Sequence, residues 1–581
     1  MKKHFRFLTF LLSALFIVGC NPNDDGSSSN ASDPFTQNFG AAVSRDFMGQ
    51  VVDQYGVAIQ NAEIKIGNKT TQTDVNGVFI IKGAGVYKRF AYITSKKSGF
   101  IDGSRAMVPT SGINNVKIMM IANTPVQIIS SGVASEVTLP NGTTVNFDGA
   151  FQDENGNAYT GDVQVAMYHL EASNENLSSL MPGMLYAKDE SGAEKVLETY
   201  GMMNVELKGS NGQKLQIASG HTAGISMAID ATQLATAPNT IPLWHFDDAK
   251  GYWIEEGSAT KVGNAYVGTV SHFSWWNCDI PNSTILLTIN IHDNNGNPLV
   301  NQIIELTDQN GYSTFGLTDS NGQTSGLIPE NSSLVLQVYA SNYSTIIYNS
   351  AIGPFVTDAV VNIVIEGSPA LIFNQVTGNL VNCENTNVTN GYMMLIREGY
   401  SSFFFPVNNG QFSFNTVRTS ANETFSLRGG DYNTSNYSEA IVYSYSNSAT
   451  TNVGNFAACN PITEFISYQI DSNPTVIMQS NLTFTIDMNN YLSVFGRNNE
   501  LGKEISIDGQ AGGTGANAML GFVLQGTDFG VIRSGGTNTI TYNAAPIGAV
   551  GTYADVTFNG TFTDTTGTHT LSGLIHVIRD N

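Results

Sequence analysis

Apolar and polar side chains alternate one by one, in short runs, along most of this chain. Ala62-Glu63-Ile64-Lys65-Ile66, Val163-Gln164-Val165, Gln411-Phe412-Ser413-Phe414 and Leu482-Thr483-Phe484-Thr485-Ile486 follow this pattern. A period of two places the apolar members on one face of a β-strand. Between the runs stand Asx-Gly steps such as Asn76-Gly77 and Asn321-Gly322. Asp and Asn bond their own backbone there and Gly accepts positive φ, so hairpin turns are expected at these positions. Long stripes of period 3.6 are missing, and only Asn174–Leu180 suggests a short helix. The pattern predicts an all-β protein of tandem β-sandwiches, immunoglobulin-like or prealbumin-like, and 581 residues are too many for one core.

The first residues break the alternation. Lys2, Lys3 and Arg6 precede a twelve-residue apolar stretch, Phe7–Val18, interrupted only by Thr9 and Ser13. A bilayer-spanning helix needs about 20 residues, so this length fits the core of a secretory signal instead. The end, Leu15-Phe16-Ile17-Val18-Gly19-Cys20, resembles the lipobox of bacterial lipoproteins. That resemblance implies cleavage after residue 19, acylation of Cys20 and attachment to a membrane through the lipid. Asp24-Asp25 resembles the acidic surface-export signal of some gram-negative lipoproteins. The implied location is the outer membrane, facing outward. The polar stretch Gly26–Asp33 has almost no apolar side chain to bury, so residues 20–45 are expected to form a flexible tether.

Two later stretches share one ordered plan. In 46–125, the strand Met48–Asp53 enters the turn Gln54-Tyr55-Gly56. Strand Ala62–Ile66 follows, then the turn Thr73-Asp74-Val75-Asn76-Gly77 and strand Val78–Ile81. In 283–369, Ile289–Asp293 enters Asn294-Asn295-Gly296. Val300–Glu305 follows, and Thr318-Asp319-Ser320-Asn321-Gly322 restores the second turn. Asp53 to Asp74 is 21 residues and Asp293 to Asp319 is 26, which predicts five extra residues in the intervening hairpin of the second copy. This plan resembles the carboxypeptidase regulatory-like domain, a transthyretin-like sandwich. The resemblance implies a fold and a modular role, and no peptidase domain accompanies it. Residues 126–282 carry Val163–Tyr168, Met181-Pro182-Gly183-Met184, Leu197–Leu207, Trp244-His245-Phe246-Asp247 and Trp275-Trp276-Asn277-Cys278. Their order resembles the region shared by astroprincin-type proteins and cartilage intermediate layer protein. Residues 370–464 read as a divergent sandwich. Residues 465–581 read as a C-terminal β domain that ends in the hairpin Asp555–Ile578.

Charge and chemistry narrow the picture. Net charge is −22, and loss of Lys2, Lys3 and Arg6 with residues 1–19 takes it to −25. An acidic chain with 26 basic residues offers no footprint for nucleic acid. With Cys20 lipidated, Cys383 and Cys459 are the expected disulfide partners in an oxidising compartment, and Cys278 is left over. The stretch 126–282 holds His169, His221, His245 and His272, but none lies at zinc-ligand spacing, so no metal is expected there. Asp247, Asp248, Glu255 and Glu256 read as a solvated hairpin rather than a glycosidase pair. Asp74/Asn76, Asp153/Asn155 and Asp319/Asn321 run straight into Gly and read as turns rather than calcium loops. Gly509–Gly515 lacks the Lys-Ser/Thr ending of a phosphate loop. No catalytic set and no cofactor is expected. Trp244, Trp253, Trp275 and Trp276 fit either a core or a stacking platform for an extracellular glycan or protein. Tyr432, Tyr437, Tyr443 and Tyr445 leave the same alternative open. The expected role is a non-enzymatic surface protein in adhesion, envelope structure or scaffolding. The alternative is a glycan- or peptide-binding accessory of nutrient uptake.

Overall fold

A computed structural model describes residues 33–580, apart from short internal stretches that include 368–370, 397–401, 472–475, 499–501 and 534–538. Cys20 and the signal-like segment before it lie outside the described residues. The protein is all-β, a series of β-sandwiches together with one larger sheet.

Three sandwiches share one connectivity. In the first, Ala42–Asp53 pairs antiparallel with Val78–Tyr87 and parallel with Ile113–Met120. The facing sheet runs in the order Lys69–Gln72, Glu63–Ile66, Ala91–Lys96, Gly103–Met107. In the second, Thr284–Asp293 pairs antiparallel with Gln323–Pro329 and parallel with Ala359–Ile365. In the third, Ile372–Val381 does the same with Gln411–Arg418 and Thr450–Ala457. The third stretch, for all its divergence, is therefore another copy of the plan. The hairpin Glu63–Gln72 spans ten residues and its counterpart Ile303–Leu317 fifteen, which accounts for the five-residue difference in turn spacing.

The repeated turn works the same way in the first two copies. Thr73 Oγ1 donates to the Ile59 carbonyl at 2.6 Å and accepts from Ala62 N–H at 2.8 Å. Thr318 makes the same pair of bonds with Leu299 and Gln302. Asp74 Oδ1 accepts the N–H groups of Asn76 and Val78, and Asp319 Oδ1 those of Asn321 and Gln323. Gly77 has φ 71°, and a Cβ there would meet the Val51 carbonyl oxygen at 2.2 Å. Only glycine satisfies both the conformation and the close approach.

Residues 125–282 form a 13-stranded sheet centred on the long strand Glu194–Gly209. An internal core that includes Val165, Val205, Leu243, Tyr266, Trp276 and Cys278 fills it. The expected helix is a single turn, Leu177–Leu180. The C-terminal part packs a six-stranded sheet on a five-stranded one around Phe484, Val494, Ile507, Phe558 and Ile575. Its last hairpin pairs Tyr553–Thr563 with Thr568–Ile578.

The flexible tether expected over 20–45 needs correction at its end. Pro34–Phe39 is a 3-10 helix, and the first strand starts at Ala42. Phe35 and Phe39 are buried with Phe90, Tyr186 and Tyr252, so two aromatic rings offset the ordering of the segment. Asp33 caps the helix through Phe35 N–H and also takes bonds from Lys188 and Tyr252.

Candidate functional site

The four tryptophans form no exposed platform. Trp244 and Trp253 are 0% exposed, Trp276 1% and Trp275 3%. This corrects the stacking alternative: a ring with no accessible face cannot stack on a ligand. Trp244, Trp253 and Trp275 instead face the first sandwich, in one core with its Val52, Ile101, Met119 and Ile121. The indole N–H groups of Trp244 and Trp253 are satisfied internally, the first by the Asp279 carbonyl and the second by that of Met184. At the same junction a Cβ on Gly251, which has φ 82°, would lie 2.4 Å from the Tyr92 ring. Arg105 Nη1 donates to the Gly183 carbonyl at 2.8 Å.

The first sandwich is the hub for its two copies as well. Asp74 Oδ2, the oxygen its own turn leaves over, accepts the Tyr392 hydroxyl of the third sandwich at 2.6 Å. Asn76 Nδ2 donates to the same hydroxyl oxygen at 3.0 Å, and Tyr432 donates to the Val78 carbonyl. Met48, Val57, Val75 and Val78 pack there against Tyr392, Met394, Phe404 and Tyr437. Asp319 Oδ2 accepts Thr110 Oγ1 at 2.7 Å and Gly112 N–H at 2.8 Å, which joins the second sandwich to the first. Arg89 adds an ion pair to Asp358 at 2.7 Å. Burial raises the Asp74 carboxyl to about 6 against the opposing pull of the Tyr392 and backbone bonds. Asp53, buried in the preceding turn, is raised to about 6 by the same cause. The tyrosines thus divide: Tyr392, Tyr432 and Tyr437 belong to this junction, while Tyr443 and Tyr445 pack on the third sandwich's own core.

Cys383 and Cys459 lie together. Cys383 Sγ is 3.2 Å from the Cys459 carbonyl oxygen, and a hydrogen bond between the side chains raises the Cys459 thiol to about 11. Cys278 is fully buried in the large sheet's core, which raises its thiol strongly.

The acidic hairpin of 247–256 is only partly idle surface. Asp247 caps its turn through Ala249 and Lys250 N–H, and Glu255 accepts Glu190 N–H at 3.0 Å. Glu256 stands between His245 and His272, with its Oε2 3.1 Å from His245 Nδ1 and 3.4 Å from His272 Nε2. The other two histidines lie elsewhere: His169 beside Asn141 and Thr143, His221 against Asp148. Burial, then the neighbouring His272, lower the His245 pKa and so favour its neutral ring. Two cavities, of about 280 and 360 Å³, open at the junctions of the sandwiches, the first lined by Ile113, Pro298 and Phe404 and the second by Arg45, Lys88 and Leu286. The smaller is below the usual range for small-molecule sites and the other is near its lower end. Among the described residues no helix is long and apolar enough to cross a membrane.

No family model matches the chain. It is 24% identical over 184 residues to cartilage intermediate layer protein 2 of Mus musculus, a match covering 31% of this chain and 14% of that protein. The chain thus spans about a seventh of the length of the curated relative it matches. Similar solved structures include a streptococcal ancillary pilin, at 12% identity over 40% of this chain and 97% of that one, with a TM-score of 0.14. BcpA, the major pilin subunit of Bacillus cereus, is 8% identical over 72% of this chain and 100% of that one, with a TM-score of 0.12. A putative membrane-associated protein from Bacteroides fragilis is 8% identical over 42% and 100%, with a TM-score of 0.13. Scores at this level leave the chain's function to its own residues.

Proposed function

We propose that this chain is a non-enzymatic scaffold or adhesion protein displayed outside the cell, held on the outer membrane by lipid on Cys20. The observation that carries the scaffold reading is the hub. Buried turn carboxylates and a tryptophan-rich core fasten the first sandwich to three other parts of the chain. Ordering side chains at such junctions costs conformational entropy, and an array of independent binding beads has no use for it. Exposed aromatic rings that would favour a glycan-binding accessory are lacking among the four tryptophans. A disulfide between Cys383 and Cys459, formed in an oxidising compartment, would close the third sandwich. The partner presented with this scaffold is an extracellular protein or glycan, and the membrane is met only through the lipid.

Mass spectrometry of the mature N-terminus tests the anchor. The expected result is an acylated Cys20 as the first residue. An unmodified Cys20, or cleavage elsewhere, contradicts it. Protease shaving of intact cells tests display: fragments of 33–581 should be released without lysis, and their retention contradicts an outward-facing array.

A further inference from the structure

His245, Glu256 and His272 converge although 11 and 16 positions separate them along the chain. His245 lies on strand Thr240–Asp247, opposite Ile254 on one side and Trp276 on the other. The register of Thr240–Asp247 against Tyr252–Val262 slips between Pro242 and Trp244, and Gly257 has φ 79°. Glu256 sits in that irregularity, and such bulges re-aim side chains. His272 stands in the turn before Trp275–Asn282, where its carbonyl accepts Trp276 Nε1–H at 3.0 Å. The Trp276 ring lies 5.6 Å from His245 and 5.1 Å from His272, and the two imidazoles meet edge to face at 4.8 Å.

The carboxylate is oriented. Ser271 Oγ donates to Glu256 Oε1 at 3.1 Å, leaving Oε2 aimed at both rings. His245 Nδ1 is buried and has no hydrogen-bond partner, although it lies 3.1 Å from Oε2. A buried polar nitrogen without a partner calls for an explanation, and a cation between these atoms supplies one. Zinc bonds of about 2.0–2.1 Å in tetrahedral geometry place neighbouring ligand atoms about 3.4 Å apart. The separations of 3.1 and 3.4 Å match two such edges, and the third, between the two imidazole nitrogens within a span of 4.8 Å, closes to that length by rotation of the half-exposed His272 ring.

We propose that His245, Glu256 and His272 bind a divalent transition-metal cation of the zinc type. Two imidazole nitrogens with one carboxylate oxygen favour zinc, cobalt or nickel over calcium or magnesium, which take oxygen ligands. Glu256 and His272 side chains are 42% and 36% exposed, so a fourth position faces water. The ligands come from two paired strands and a turn, so the bound ion ties the turn at His272 to the bulge at Glu256. Binding to the folded chain alone also raises its stability.

The test is calorimetric titration of the metal-stripped full chain with zinc, with magnesium as the comparison. The expected result is one zinc per chain and no magnesium. His245→Ala, Glu256→Gln and His272→Ala should each weaken zinc binding by about tenfold or more. His272→Ala and Glu256→Gln alter half-exposed groups, and circular dichroism verifies that they fold. Cobalt added to the unaltered chain should give the visible spectrum of a four-coordinate nitrogen–oxygen site. Zinc binding weaker than about 1 mM, binding that survives all three substitutions, or a six-coordinate cobalt spectrum overturns the proposal.

Discussion

The hydroxyl of Tyr392 donates to Asp74 Oδ2 at 2.6 Å across 318 residues of chain. Asp319, at the same position of the second copy, gives its corresponding oxygen to Thr110 and Gly112. One carboxylate therefore does two jobs in each of the first two copies: Oδ1 closes the local turn and Oδ2 receives a different sandwich. Tyr392→Phe removes the donor and leaves a buried oxygen underpaired. Such a loss costs about 1–3 kcal/mol, read as a lower unfolding midpoint with earlier proteolysis at the junction. An unchanged midpoint would mean that the contact bears no weight.

At the second clasp the backbone itself approaches. A Cβ on Gly112 would stand 2.3 Å from Asp319 Oδ2. Gly112→Ala should destabilise the protein by about 1–3 kcal/mol through this clash. Gly326→Ala is the control, because a Cβ there meets nothing within 4 Å. Thermal unfolding of both variants should separate them, and equal midpoints would contradict the clasp.

Trp253 joins the large sheet to the first sandwich from a fully buried position. Trp253→Ala should cost about 3–5 kcal/mol. It should change binding to polysaccharides only as far as it unfolds the chain. Calorimetric binding lost in a variant that keeps its native circular dichroism would restore the ring to a ligand site.

Asp74 gives stability a definite pH dependence. Its carboxyl titrates at about 6 in the folded chain against an unperturbed 3.8. Between those values the folded state keeps a proton that the unfolded state releases. The stabilisation is complete below about pH 4 and is lost as pH rises through about 6, a swing of up to about 3 kcal/mol. Asp74→Asn removes this dependence. Denaturant unfolding at about pH 4 and pH 7 should show the wild type gaining on the variant at the lower pH, and parallel profiles would rule this out.

The strands and the repeated turns were legible because alternation and Thr-Asp-x-Asn-Gly are local patterns. The third copy's kinship was masked by its turns. Asn382 replaces the first Asp, Asn385 takes φ 58° where the other copies have Gly, and Val407-Asn408-Asn409-Gly410 lacks the Thr-Asp pair. The tryptophans were ambiguous because the surface that buries three of them comes from residues 52–121. Phe35 and Phe39 looked like part of a tether because their partners Tyr186 and Tyr252 lie far along the chain. No spacing rule reveals His245, Glu256 and His272, since a register slip and a turn bring them together.

A double-mutant cycle on Asp74→Ala and Tyr392→Phe tests the hub most directly. Asp74→Ala also breaks the local turn, and the cycle cancels that loss. The interlocked scaffold predicts a coupling of about 1 kcal/mol or more between the two positions. Effects that add within about 0.3–0.5 kcal/mol would show that the first and third sandwiches are not held together by this bond, and the hub would fail at its best-defined contact.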